Sequence, residues 1–202
     1  MKKSDITKQK ILVSAEEAFA EKGFYGARVD EITEQAGVNK RMLYAYYGSK
    51  EQLYIAVLNT VYQRLAQSEE KLLSEETDPV CAVKRIIRHD FKFLSENPSF
   101  VKMILWENLN EAKYMKQSDA ISAKQISIEL LRTMLRKGME QGIFRKDLEI
   151  EEMVLSINMF CFSYFSNIYT MSHIMGADFS GKEEMDKRCE HVTEIILKYI
   201  QA

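Results

Sequence analysis

The chain has 202 residues, a formal charge of −2, and 46% apolar and 29% charged residues, a globular balance that excludes disorder and low-complexity character. It holds only 8 Gly and 2 Pro; four of those glycines (Gly23, Gly26, Gly37 and Gly48) precede residue 49, and residues 49–137 contain none. So few turn residues cannot supply the frequent reversals of an all-β fold, so the expected architecture is all-α, a unit of short helices followed by longer ones.

A first helix is expected over residues 5–22, where Ile11, Leu12, Ala15, Ala18 and Phe19 repeat at helical spacing and Gly23 stands where a left-handed C-terminal residue belongs. Val29, Ile32 and Ala36 share one face of a short second helix whose first turn carries Asp30 and Glu31, placed to favour the helix dipole. Gly37 ends it. Val38 then leads to Asn39, a good N-cap for a third helix carrying Leu43 and Tyr47. Two short helices joined so tightly cross steeply, which is the helix-turn-helix geometry. Gly48 closes the third helix, and Ser49-Lys50-Glu51-Gln52 reads as a capping box opening a long fourth helix to about residue 73. Pro79 suits the first turn of a fifth helix, residues 79–96, and Asn97-Pro98 marks a sixth carrying Phe100, Met103, Ile104 and Trp106. A polar stretch over 107–119 precedes helices at about 120–141, 149–175 and 182–200. The count is about nine helices.

Charge is unevenly placed. Up to Lys50 there are nine basic against seven acidic residues, and residues 35–48 hold Lys40 and Arg41 with no acid. A mildly basic front hints at nucleic acid. Cys81, Cys161 and Cys189 are odd in number and show no C-x-x-C spacing, so no disulfide framework is expected. The polar start lacks a signal-peptide core, and the most apolar stretch, 157–171, is broken by Asn158, Ser163, Ser166 and Asn167 and falls short of the roughly 20 residues of a membrane span. A cytoplasmic location and no membrane partner are expected. His89, His173 and His191 are scattered, and Cys189-x-His191 points its side chains to different helix faces, so neither a metal nor a cofactor is expected. No G-x-S-x-G, P-loop or G-x-G-x-x-G is present.

The runs Gly23-Phe24-Tyr25-Gly26-Ala27-Arg28-Val29-Asp30-Glu31-Ile32-Thr33-Glu34-Gln35-Ala36-Gly37-Val38 and Asn39-Lys40-Arg41-Met42-Leu43-Tyr44-Ala45-Tyr46-Tyr47-Gly48-Ser49-Lys50-Glu51-Gln52-Leu53 resemble the TetR family of bacterial transcriptional regulators. The resemblance covers about a quarter of the chain. It implies a helix-turn-helix DNA-binding domain, residues 1–50, and a helical ligand-binding and dimerisation domain, residues 51–202. The implied protein is a homodimeric repressor released from a palindromic DNA operator by a small-molecule inducer. Three departures stand out. Ala27 and Arg28 replace the Thr or Ser that usually caps the second helix, and Arg41 replaces a frequent Gly. Tyr46-Tyr47 replaces a frequent His-Phe.

Asn39, Lys40 and Arg41 lead the third helix and are assigned to base edges or adjoining phosphates, with Arg41 able to donate twice to guanine. Tyr44, Tyr46, Lys50 and Arg28 are assigned to phosphates. Lys50 also stands at a helix N-terminus, where an anion is favoured. Lys2, Lys3, Lys8 and Lys10 are candidates for arm contacts. The eighth helix is apolar nearly all round, so burial on two sides is expected. By resemblance the last two helices form the dimer interface, through Met153, Ile157, Phe160, Tyr164, Val192, Ile195, Ile196 and Tyr199. Ligand candidates are Tyr62, Phe91, Met103, Trp106, Asn108, Tyr164 and Asn167, with plain core packing as the alternative for each. Neutral polar groups among them favour an uncharged or apolar ligand. The rival functions are a helical-bundle enzyme and a protein-protein adaptor, each with an incidental helix-turn-helix-like front.

Overall fold

The structure, a computed structural model, describes residues 3–201. Among them are nine α-helices: α1 Lys3–Gly26, α2 Val29–Ala36, α3 Lys40–Tyr47, α4 Lys50–Ser74, α5 Pro79–Glu96, α6 Pro98–Leu109, α7 Ala120–Glu140, α8 Ile150–Met175 and α9 Lys182–Ile200. Their order and bounds follow the punctuation. Asn39 caps α3 by accepting from the Met42 N–H at 2.9 Å, Ser49 caps α4 by accepting from the Gln52 N–H at 3.0 Å, and Asp78 caps α5 ahead of Pro79. Arg28, at the N-cap of α2, supplies no side-chain cap. No helix among the described residues is long and apolar enough to cross a membrane.

The chain folds into two compact units, Met1–Arg64 with Pro98–Ala123, and Leu65–Asn97 with Lys124–Ala202. This division differs from a single cut after residue 50, because the front of the chain takes α6 into its own core. In the first unit α1 packs against α2, α3 and α6. Its centre is aromatic: Tyr54 meets Phe19 at 4.9 Å and Tyr114 at 5.0 Å, and Phe24 meets Tyr114 at 4.6 Å between ring centroids. Buried Glu16 on α1 accepts from Arg64 at 2.8 Å and from Ser99 at 2.6 Å, tying α1 to α4 and α6.

Two glycines bend this unit, for different reasons. Gly23, with φ 66°, interrupts α1, which resumes for one more turn instead of stopping as expected. The Trp106 ring lies so close that a β-carbon at position 23 would stand 2.8 Å from it, and the indole N–H donates to the Ala20 carbonyl at 3.2 Å. Gly37, with φ 66° and ψ 37°, makes the turn between α2 and α3 with open space where a β-carbon would go.

In the second unit α5 packs against α8 and α9. Phe91 is buried against Tyr164 and Phe165, with centroids at 5.8 and 5.6 Å. A polar cluster sits inside this core. Glu69, 1% exposed, pairs with Lys124 and accepts from Ser127 at 2.6 Å, and buried Asp90 lies 3.1 Å from His89 Nδ1. Burial, reinforced by the nearby Asp90, pushes the Glu69 carboxyl up to about 7 from 4.5.

Two outcomes follow for stability. Gly37→Ala meets only the left-handed backbone penalty, about 1 kcal/mol, whereas Gly23→Ala adds a collision with Trp106 and costs clearly more. Urea melts compare the two, and equal losses contradict the packing. A carboxyl whose folded pKa is raised contributes stability that is complete below about 4.5 and lost as pH rises through about 7. The contribution of Glu69 therefore declines over that window, and Glu69→Gln removes it; melts at closely spaced pH values that show the same slope in both proteins contradict this origin.

Candidate nucleic-acid interface

The helix-turn-helix is held from one side and open on the other. Leu43 is fully buried, and the Tyr47 hydroxyl donates to the Lys8 carbonyl at 3.1 Å, fixing α3 to α1. Burial pushes that phenol up to about 12. On the outward side Lys40, Arg41 and Tyr44 are exposed, so the three side chains expected to share a face do share one.

Several of these groups already have partners. The Asn39 carboxamide oxygen is used by the cap, which leaves its amide N–H groups as the free donors. Lys40 Nζ stands 2.8 Å from Asp30 at the start of α2, and that hydrogen bond raises its pKa. Lys50 Nζ lies 4.8 Å from the centre of the Phe24 ring, and its partial burial lowers its pKa. Tyr46 is half-buried with Lys8 Nζ 5.5 Å from its ring centre. Arg28 and Arg41 are exposed and have no ion-pair partner among the described residues. Lys10 is exposed; Lys2 and the Lys3 side chain lie outside what the structure describes. The Asp30–Lys40 pair is absent from the sequence expectations because it spans two helices, where no i,i+4 spacing signals it.

The seven ligand candidates are divided between the two units. Tyr62, Met103, Trp106 and Asn108 belong to the first unit, and Phe91, Tyr164 and Asn167 to the second. Trp106 serves the α1–α6 packing, and exposed Asn108 donates back to the Ile104 carbonyl of its own helix at 3.0 Å. Met103 is fully buried, and Tyr62 packs edge-on against Phe100 at 5.3 Å. Tyr164 and Asn167 line an open cleft of about 590 Å³ with Met171, Met175, Phe179 and Arg188. The residue missed was Glu107, which is 3% exposed yet opens a stretch that reads as polar loop.

The dimer candidates divide as well. Met153, Ile157, Val192 and Ile196 are buried inside their own unit, so they are core and are not presented to a second chain. Phe160 and Tyr164 are half-buried. Ile195 and Tyr199 are 38% and 52% exposed, and Leu155, Met159, Ile174 and Met175 are exposed apolar residues absent from the expectations. A helix apolar nearly all round carries no phase from which to tell its inward from its outward side.

Comparison with known proteins places the chain. Residues 11–57 match the model of bacterial regulatory proteins of the tetR family, and residues 79–196 match that of the tetracyclin repressor-like C-terminal domain. The chain is 31% identical over 198 residues to the HTH-type transcriptional repressor NicS of Pseudomonas putida, covering 96% of this chain and 92% of the relative. Its fold is shared with the transcriptional regulator SCO4942 of Streptomyces coelicolor, at TM-score 0.73 and 23% identity over 96% and 98% of the two chains. It is shared also with the fatty acid degradation regulator FadR of Bacillus halodurans, at TM-score 0.74 and 21% identity over 94% of each. A helix-turn-helix front, an all-helical body and these matches agree: the chain belongs to the TetR family of bacterial transcriptional regulators, and it is a regulator rather than an enzyme.

Proposed function

We propose that this protein is a homodimeric, sequence-specific repressor that acts in the cytoplasm and leaves a palindromic operator when a small-molecule inducer binds. The observation that carries the reading is the exposed face of α3, with Arg41 and Tyr44 turned outward while Leu43 and Tyr47 anchor the opposite side. Residues 1–50 form the DNA-reading part and residues 51–202 the part that dimerises and receives the inducer. Arg41 donates to guanine O6 and N7, and the Asn39 amide donates to a neighbouring base or phosphate. Tyr44, Tyr46, Arg28 and Lys50 hold phosphates. Lys40 reaches DNA by exchanging Asp30 for a phosphate or base, an exchange that costs little because the pair is exposed. The repressor sense is supported by the relative NicS, itself named a repressor.

One helix-turn-helix covers a few base pairs, too few to discriminate within a genome, so two copies are required on a two-fold site. The exposed apolar side chains Ile195 and Tyr199 on α9, with Leu155 and Met159 on α8, support a self-complementary contact there.

Arg41→Ala is expected to cost about 1 to 3 kcal/mol on the operator and to relax base preference, whereas Lys50→Ala weakens all sequences alike and lowers the salt slope by about 1. Anisotropy titrations at several salt concentrations read both, and an equal loss for Arg41→Ala on operator and random DNA refutes base reading. Light scattering at micromolar concentration is expected to give a dimer mass, and Tyr199→Glu to give a folded monomer. A monomeric wild type, or a Tyr199→Glu protein that stays dimeric, refutes the proposed face.

A further inference from the structure

Between the C-terminal half of α8 and the N-terminal half of α9 lies a cleft of about 590 Å³, contained within the second unit. Its walls are apolar: Ile168, Met171 and Met175 on α8, the ring of Tyr164, and Phe179 in the turn that joins the two helices. That turn is pinned, since the Tyr164 hydroxyl donates to the Phe179 carbonyl at 2.6 Å and the Phe179 N–H donates to Ser172 Oγ at 3.1 Å. The charges come from α9 and the turn, and most are matched. Lys187 is taken by Glu183 and Glu184, each at 2.9 Å, and Asp178 accepts from the N–H and hydroxyl of Ser180 at 2.8 and 2.6 Å. Arg188 is different. It lines the cleft, is half-buried, and has no ion-pair partner among the described residues. Its charge is felt at the Tyr164 phenol, where it opposes the upward push of burial, which puts the guanidinium near that ring. His191, one turn further along α9, lines the same cleft and offers a ring N–H.

The cleft has room for a small molecule, apolar walls, and one cation that no protein group neutralises. A planar guanidinium receives a carboxylate through two parallel N–H donors, and a ligand body that displaces water from around the pair strengthens it. The rings of Tyr164 and Phe179 and the thioethers of Met171 and Met175 suit a flat aromatic body and adapt to its outline. A neutral apolar molecule would leave Arg188 unmet, and a cation would be repelled by it. We propose that this cleft binds an organic monoanion with an aromatic body, its carboxylate on Arg188 and its ring against Tyr164, Met171 and Phe179. The proposal rests on the ligand-responsive reading above, names the class of its ligand, and replaces the uncharged ligand expected from the sequence. The same two helices carry Leu155, Met159, Ile195 and Tyr199, the side chains proposed for the self-contact. A body wedged between α8 and α9 changes how two copies meet, and so gives binding a route to the operator.

Calorimetric titration of the full-length protein with 2-naphthoate is expected to give a Kd of about 0.1 mM or lower, and 2-naphthamide, the same ring system without the charge, to bind about tenfold more weakly. Arg188→Gln is expected to bring naphthoate down to the level of the amide and to leave the amide unchanged, so the amide shows that the cleft is intact and the difference belongs to the guanidinium. Equal affinity of the wild type for the two probes, no binding of naphthoate, or a preference that survives in Arg188→Gln overturns the proposal, and the wild-type comparison decides even if that variant does not fold. Met171→Glu, at an exposed position of the wall, is expected to abolish naphthoate binding and to keep the wild-type mass in light scattering. Unchanged naphthoate affinity in this variant overturns the proposal, and so does a dimer that becomes a monomer, because a second copy then fills the cleft. Saturating naphthoate is also expected to weaken wild-type binding to a selected duplex about fivefold or more, and naphthoate binding without this change overturns the route to the operator. The two readings fail separately. Unliganded protein that does not discriminate the duplex overturns the regulator reading, whereas specific DNA binding without a naphthoate response overturns the cleft alone.

Discussion

The DNA-reading helices depend on a tryptophan resting on a glycine. Trp106 approaches the backbone of α1 at Gly23, where any side chain would collide, and its N–H takes the Ala20 carbonyl that the interrupted helix leaves available. One turn earlier along α1, Glu16 gathers Arg64 and Ser99. A buried acid bonded to an arginine and a hydroxyl is a directional fastening, because removing either donor leaves the carboxylate undersolvated. These contacts join α1, α4 and α6 into one core. The short helices α2 and α3, each of 8 residues and marginal alone, are stable because α1 supplies the surface they cover.

The electrostatics of the front are held in check. The net charge is small, and two of the cations best placed for DNA are already occupied, Lys40 by Asp30 and Lys50 by the Phe24 ring. Both interactions are weak beside a phosphate contact, and both keep the side chains ordered. Arg41 is different. It stands exposed on the outward side of α3 with no ion-pair partner among the described residues, and its planar group donates in a fixed geometry. In the proposed function non-specific attraction is therefore modest, and the base reading we propose falls to a residue that departs from the small one common in the family.

Much of the fold was legible because the chain is punctuated by residues with one physical use. Gly37, Asn39, Gly48, Ser49 and Pro79 each stand where the structure turns, caps or restarts, and the helices between them follow without reference to tertiary contacts. The outward face of α3 was legible for the same reason, since Leu43 and Tyr47 leave only one side free. The eighth helix was not, because apolar residues on every side say that it is buried but not against what; Met153 and Ile157 turn inward while Leu155 and Met159 stay exposed. Glu107 was hidden for the opposite reason. An acid opening a polar stretch reads as solvated loop, and only the return of the chain at Tyr114 and Met115 makes it a buried clamp. Asn108 and Trp106 share that neighbourhood in sequence, yet one faces solvent and the other supports α1.

The account stands on whether this fold reads base sequence as a two-fold dimer. The most direct measurement is competition binding of the wild-type protein to a palindrome selected from random DNA, against the same duplex with one half-site scrambled and with both scrambled, at several salt concentrations. The account predicts two protomers per palindrome, a large loss on scrambling one half-site, and discrimination of about a thousandfold or more against the fully scrambled duplex that persists as salt is raised. Equal affinity for all three duplexes, falling together with salt, would contradict it.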